Sequence, residues 1–131
     1  MRLKALAIVS GVYDLILALG MLLAARPLAQ LFGAPPPVPV VNAQLNGVFT
    51  LTLAAGYFWA ARDAEARRGY FWIAGVLAKG LGSTLFLWDH FAEGSPATFL
   101  IFVATDGLLA VVTLAVLLTG REAARGASSR T

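Results

Sequence analysis

Apolar residues gather in four long runs along this 131-residue chain, at about 3–25, 41–61, 70–88 and 97–119. Each run is long enough for a helix to cross a hydrocarbon core of roughly 30 Å at about 1.5 Å per residue. The segments between them are short. "ARPLAQLFGAPPPVPVV" joins the first two runs, and its prolines Pro35, Pro36, Pro37 and Pro39 favour a stiff, polyproline-like path. "RDAEARRG" joins the second and third; "DHFAEGSP" joins the third and fourth, with Pro96 suited to the first turn of the last helix. Short connections between consecutive spans predict an all-α polytopic membrane protein, an antiparallel four-transmembrane-helix bundle. Residues 1–120 form its one domain, and the small polar residues 121–131 a short cytoplasmic tail.

Composition points the same way. Hydrophobic residues make up 59% of the chain and charged ones only 13%, more apolar side chain than a soluble domain of this size can bury. Asp14 interrupts what would be the core of a signal peptide, so the first run is expected to stay as a span. The net charge of +3 raises the question of nucleic acid. The map of the basic residues answers it. Arg2, Lys4, Arg62, Arg67, Arg68, Arg121, Arg125 and Arg130 fall on one side of the expected bundle, and Arg26 alone on the other. Positive residues collect in cytoplasmic loops, which predicts an inner (plasma) membrane protein with both termini cytoplasmic and no nucleic-acid partner.

Lys79 is the basic residue left over, near the middle of the third run. A lysine at the bilayer centre costs on the order of 2.5–3.5 kcal/mol on insertion scales, so it needs a partner. Asp14 and Asp106 are the other ionisable residues inside runs. Counted from the cytoplasmic ends, Asp14 lies about 11 residues in, Lys79 about 9 and Asp106 about 13, within roughly 6 Å of one another in depth. The three are expected to meet. Two carboxylates and one ammonium would leave a charge of −1 in low dielectric, a setting in which one carboxyl readily takes up and releases a proton. Such a group suits proton-coupled transport or the binding of a cation. A network that only fixes helix register is the plain alternative.

Around this centre, Tyr13 stands beside Asp14, and Ser10 lies one turn before it. Gly75, Ala78 and Gly82 are expected to form a small-residue face next to Lys79, and Gly107 to allow a similar close approach beside Asp106. Asn42, Gln44 and Asn46 lie in the outer half of the second run and Tyr57 toward its inner end. Asn46 is the candidate contact from that helix, although interhelical hydrogen bonding or capping explains such amides as well. Asp89 and His90 suit a solvated loop at the outer interface, and Trp59, Trp72 and Trp88 suit interface anchors. The candidate ligand-binding or proton-handling residues are therefore Asp14, Lys79, Asp106, Tyr13 and Asn46.

The absence of cysteine excludes thiolate chemistry and cysteine metal sites. One histidine cannot supply a haem or a metal cluster, and no phosphate-cradling or nucleophile-elbow motif occurs. No cofactor is expected, and the balance is against an enzyme. The segments "GVYDLILALGMLLAARP", "GYFWAARDAEARRGYFWIAGVLAKGLG", "LFLWDH" and "DGLLAV" together resemble small uncharacterised four-helix bacterial inner-membrane proteins. In architecture and hydropathy the chain also resembles the DoxX-like superfamily. The matching residues are Tyr13, Asp14, Lys79, Gly80, Asp89, Asp106 and Gly107. The resemblance implies a membrane subunit associated with quinone-linked or stress-related redox assemblies, and carries no catalytic role onto any residue. The expected function is binding of a lipophilic small molecule (a quinone, lipid or amphiphilic cation) or an accessory role in a larger membrane complex. The alternative is a proton-coupled transporter or channel working as a homo-oligomer.

Overall fold

The structure is a computed structural model that describes the backbone of residues 2–128 and the side chains of residues 2–120. It is all-helical, with no strand among the described residues. Helix α1 is Leu3–Leu23, α2 is Ala25–Leu31 and α3 is Val40–Ala61. Helix α4 is Arg68–Ala92, and α5, Leu100–Ser128, follows a single 3-10 turn at Ala97–Phe99. The side chains of Arg121 and Arg125, and the whole of Arg130, lie outside the described residues, as does the end of the expected tail.

Helix ends follow from local chemistry. The first run was expected to reach residue 25, but α1 stops at Leu23 and the chain turns at Ala24 into the seven-residue α2. Pro27 sets this boundary. It has no N–H to give the carbonyl of Leu23, and its ring would collide with that carbonyl in a continuous helix. In the first turn of α2 the missing N–H costs nothing. Helix α4 extends beyond the expected residue 88 to Ala92, and Gly94, with φ +76, provides the left-handed residue that ends it.

Among the described residues, three helices are long and apolar enough to cross a membrane: Leu3–Leu23, Arg68–Ala92 and Ala97–Gly120. Helix α3, at 22 residues, has the length. Asn42, Gln44 and Asn46 in its first two turns make it more polar than the others.

Close contacts arrange these helices as two antiparallel pairs. A Cβ on Gly47 of α3 would lie 2.8 Å from Leu22 of α1, and one on Gly11 of α1 would lie 3.0 Å from the Phe58 ring of α3. In the second pair, Gly75 of α4 packs on Thr113 of α5, and Gly107 of α5 on the hydroxyl of Ser83. That hydroxyl donates to the Val103 carbonyl at 3.0 Å. Where the pairs meet at the basic end, Leu3, Leu6, Ala7, Tyr57, Phe71, Ala74 and Leu117 close into a dry core. Toward the proline-rich end the pairs part.

One expectation about α4 is corrected. Gly75 is buried, but Ala78 is exposed, and nothing lies within 4 Å of a Cβ built on Gly82. The cause is the backbone of Phe71–Ala78, which forms a π-helix. Its i→i+5 hydrogen bonds widen each turn, so residues four apart stay on one line. The buried face accordingly runs Phe71, Gly75, Lys79, Ser83. An ordinary helix of about 3.6 residues per turn would favour the 75, 78, 82 spacing.

This packing predicts opposite outcomes for two glycines. Gly75→Leu, whose new Cβ would lie 2.7 Å from Thr113 Cγ2, should destabilise by about 1–3 kcal/mol through overpacking. Gly82→Leu should stay within about 0.5 kcal/mol of the parent. Thermal melting of both variants in one detergent tests this, and equal losses would contradict the register described.

Candidate functional site

Lys79 begins the regular part of α4, directly after the π-helical turn segment, and its side chain points into the gap between the helix pairs. Its Nζ donates to Asp14 Oδ1 of α1 at 2.6 Å and to Asp106 Oδ1 of α5 at 3.0 Å. The lysine and Asp14 are almost fully buried (5% and 4% side-chain exposure), whereas Asp106 retains 17%. The ammonium also lies 4.8 Å from the centre of the Tyr13 ring and 5.9 Å from that of Tyr57, so its remaining flank faces aromatic surface. Three helices drawn from both pairs are thus tied at one point.

Tyr13 is held in place from the opposite side. Thr105 Oγ1 donates its one hydrogen to the Ile101 carbonyl at 2.8 Å. The Tyr13 hydroxyl, 2.7 Å from the same oxygen, must then be the donor to it. Tyr57 packs edge-on against Tyr70, with ring centres 5.2 Å apart, and belongs to the dry core below Lys79. The triad therefore rests on a closed floor at the basic end.

Above it the molecule is open. A cavity of about 530 Å³ extends from Asp14, Lys79 and Asp106 to the proline-rich segment at Pro35 and Pro37. Leu17 and Met21 line it from α1, Phe49 and Leu53 from α3, and Phe86 and Phe102 from the other pair. Phe32, the residue that caps α2, extends this wall, its ring 5.0 Å from Phe102 and 6.0 Å from Phe99. Helix α2 is fixed there by Thr98, whose hydroxyl donates to the Phe32 carbonyl. The charged residues of the lining are the triad alone, two carboxylates against one ammonium, a formal charge of −1. Asp14 Oδ2 is buried and has no hydrogen-bond partner in the protein.

Of the candidates from sequence, Asp14, Lys79, Asp106 and Tyr13 come together. Asn46 lines the cavity from α3 and is exposed. Asn42 and Gln44 are exposed, and Ser10 is buried below Asp14. Asp89 and His90 lie in the last turn of α4 rather than in a loop, and His90 Nδ1 donates to the Ser95 carbonyl at 2.8 Å. The group of Phe32, Phe86, Phe99 and Phe102 was not anticipated. Its signal was present in Phe99 and Phe102, three residues apart and level with Phe86 across the pair.

A second cavity, at the basic end, is lined by Arg2, Lys4, Arg62 and Arg68 together with Asp63 and Glu65. There Arg68 is already engaged, donating to the Leu117 carbonyl at 2.8 Å and to Glu65 Oε2 at 2.7 Å. Four basic residues face two acidic ones there, a formal charge of +2, and the basic residues lie at the exposed end of the bundle rather than beneath apolar walls.

Removing the ammonium by Lys79→Met should cost about 3–5 kcal/mol, because two carboxylates are left facing each other without their cation. Adding Asp14→Asn or Asp106→Asn should recover part of that loss, more for Asp14, whose contact is shorter and drier. A double-mutant cycle on melting temperature at fixed pH measures both couplings. Additivity within about 0.5 kcal/mol for both pairs would mean that the ion pairs do not form.

Comparison of the chain with protein-family models, with curated proteins and with solved structures finds no match.

Proposed function

We propose that this protein is a four-span integral membrane protein that binds a lipophilic small molecule (a quinone, a lipid or an amphiphilic cation), alone or as an accessory subunit of a larger membrane complex. The observation that carries this reading is the cavity: apolar walls ending on a buried, charged floor, a shape that fits a molecule with one polar end.

Membrane residence is supported by the outer surface. Ile16 of α1, Ile73, Leu81 and Leu85 of α4, and Leu108 and Val111 of α5 are each more than 60% exposed, and Val48 of α3 is 48% exposed. The hydroxyls of Thr50, Thr52, Thr84, Thr105, Thr113 and Thr119 all bond back to the carbonyl four residues earlier. A hydroxyl satisfied within its own helix needs no water, as hydrocarbon surroundings require. In this reading α3 is the fourth span. Its amides near the proline-rich end would then sit at the outer interface or face the cavity, where they cost less.

Orientation rests on the basic residues. Arg2, Lys4, Arg62, Arg67 and Arg68 lie at the end with the dry core, which under the positive-inside rule is cytoplasmic. The cavity would then open toward the outer side of a bacterial inner membrane. Kinship with DoxX-like proteins belongs to the same proposal and rests on architecture and hydropathy.

A second reading, proton-coupled transport by a homo-oligomer, is favoured by Asp14 Oδ2, a buried carboxylate oxygen that no protein group satisfies. The core of Leu6, Tyr57, Phe71 and Leu117 speaks against it. It closes the route between the triad and the basic end, and a transporter needs access from both sides.

Two experiments test the proposal. Protein purified in mild detergent should carry an apolar small molecule detectable by native mass spectrometry. Leu17→Trp, which fills the cavity, should lose that adduct while melting within a few degrees of the parent. A parent that carries no adduct from any expression host would sink the binding reading. Separately, reporter fusions at residue 131 and in the loop at Ala66 should report cytoplasm, and fusions at Pro36 and Gly94 the outside. Fusions at residue 131 and Pro36 on the same side would rule out four spans.

A further inference from the structure

The chemistry of the cavity floor selects among lipophilic ligands. An ammonium has three hydrogens to donate. On Lys79, Asp14 Oδ1 and Asp106 Oδ1 accept two, and the rings of Tyr13 and Tyr57 cover its remaining flank. The Tyr13 hydroxyl is also committed, to Thr105. The Tyr57 hydroxyl has no partner, but it is buried and Tyr57 does not line the cavity, so no free donor of the floor faces a ligand. Acceptors do. Asp106, the most exposed of the three, presents its carboxylate to the cavity, whereas the unpartnered Asp14 Oδ2 is buried behind it.

Formal charge adds to this asymmetry. Two carboxylates and one ammonium leave −1 at the end of an apolar pocket, with no other charged residue in the lining. A carboxylate or phosphate head would bring like charge to it. A quinone, which only accepts, would set its carbonyl oxygens against carboxylate oxygens. A protonated amine does the reverse. It supplies N–H donors to the free acceptors and brings the site to neutrality. The walls suit the remainder of such a molecule. Leu17, Met21, Phe49, Leu53 and Phe102 offer apolar surface along about 13 Å, the rise of α1 from Asp14 to Leu23 at about 1.5 Å per residue.

We infer that the ligand of this cavity is an amphiphile with a hydrogen-bond-donating cationic head, a primary amine on an alkyl chain, seated with its head on Asp106. The inference rests on the binding function proposed above and narrows its ligand class.

The test uses the full chain in phosphatidylcholine nanodiscs near pH 7, with three probes that share one chain length: dodecylamine, dodecyltrimethylammonium and dodecanoate. Binding is read as adducts in native mass spectrometry and as a shift in melting temperature. Dodecylamine should bind saturably and raise the melting temperature by several degrees. Dodecyltrimethylammonium, a cation without N–H, should bind at least tenfold more weakly, and dodecanoate should not bind. Asp106→Asn should weaken dodecylamine at least tenfold, whereas Asp106→Glu, which keeps the charge, should retain it. The glutamate variant keeps the test valid if the asparagine variant does not fold. Dodecanoate binding as tightly as dodecylamine, or Asp106→Asn leaving dodecylamine unchanged, overturns the cationic head. Equal binding of the two cations overturns the donor requirement. In each of these cases, loss of binding in Leu17→Trp would still support the cavity as a binding site. If no probe binds in a manner sensitive to Leu17→Trp, the binding function fails together with the ligand class.

Discussion

A single buried ammonium governs this molecule. Lys79 cannot stand alone in low dielectric, and the groups that satisfy it come from α1 and α5, one from each helix pair. The pairs are each internally close-packed at Gly11, Gly47, Gly75 and Gly107, and between them Gly56 of α3 packs on Tyr70 of α4. Lys79, Asp14 and Asp106 join the pairs at the level where they begin to part. Below this level, apolar side chains fill the space between the pairs completely. Above it they do not, and the cavity begins. The ion cluster is thus the boundary between a core that gives stability and a volume that a ligand can use.

The π-helical stretch of α4 explains how Lys79 reaches that boundary. A regular helix from Phe71 would rotate residue 79 away from the line set by Phe71 and Gly75. The wider turns hold Phe71, Gly75, Lys79 and Ser83 on one face. Phe71 anchors that face in the core, Gly75 lets Thr113 of α5 come close, and Ser83 bonds the Val103 carbonyl. The lysine is therefore aimed by neighbours on either side of it along the helix. Irregular helical turns of this kind are frequently found at functional sites, because they re-aim a side chain without breaking the helix.

The sequence disclosed the centre more readily than its surroundings. Depth counting placed Asp14, Lys79 and Asp106 together, because a rise per residue needs only the helix ends and tolerates errors of a residue or two. Rotation around a helix axis is less forgiving. One residue in a turn moves a side chain by about 100° at about 3.6 residues per turn. The face at Gly75, Ala78 and Gly82 was lost for this reason, since nothing in the local pattern announces a π-helix. The break at Ala24 and the end of α4 at Ala92 were both missed from sequence, although Pro27 and Gly94 carry the local chemistry that sets them. The cavity was not legible at all. It arises from the divergence of two helix pairs and from α2 folding over one end, and both depend on contacts between residues far apart in sequence, such as Thr98 with Phe32.

The remaining question is whether the cluster serves register alone. Buried polar groups retained only for specificity work best when every member is satisfied and water is excluded, since a partly satisfied network is worse than an apolar core. This cluster departs from that description in two ways. It retains a formal charge of −1, and one carboxylate oxygen of Asp14 has no partner. Its third member, Asp106, is also partly exposed to an apolar cavity with aromatic walls. A register device gains nothing from such a cavity, and a single carboxylate facing Lys79 would have fixed the helices at lower cost. Under the function proposed above, the second carboxylate and the open volume above it are intelligible together, as the two ends of one amphiphile site.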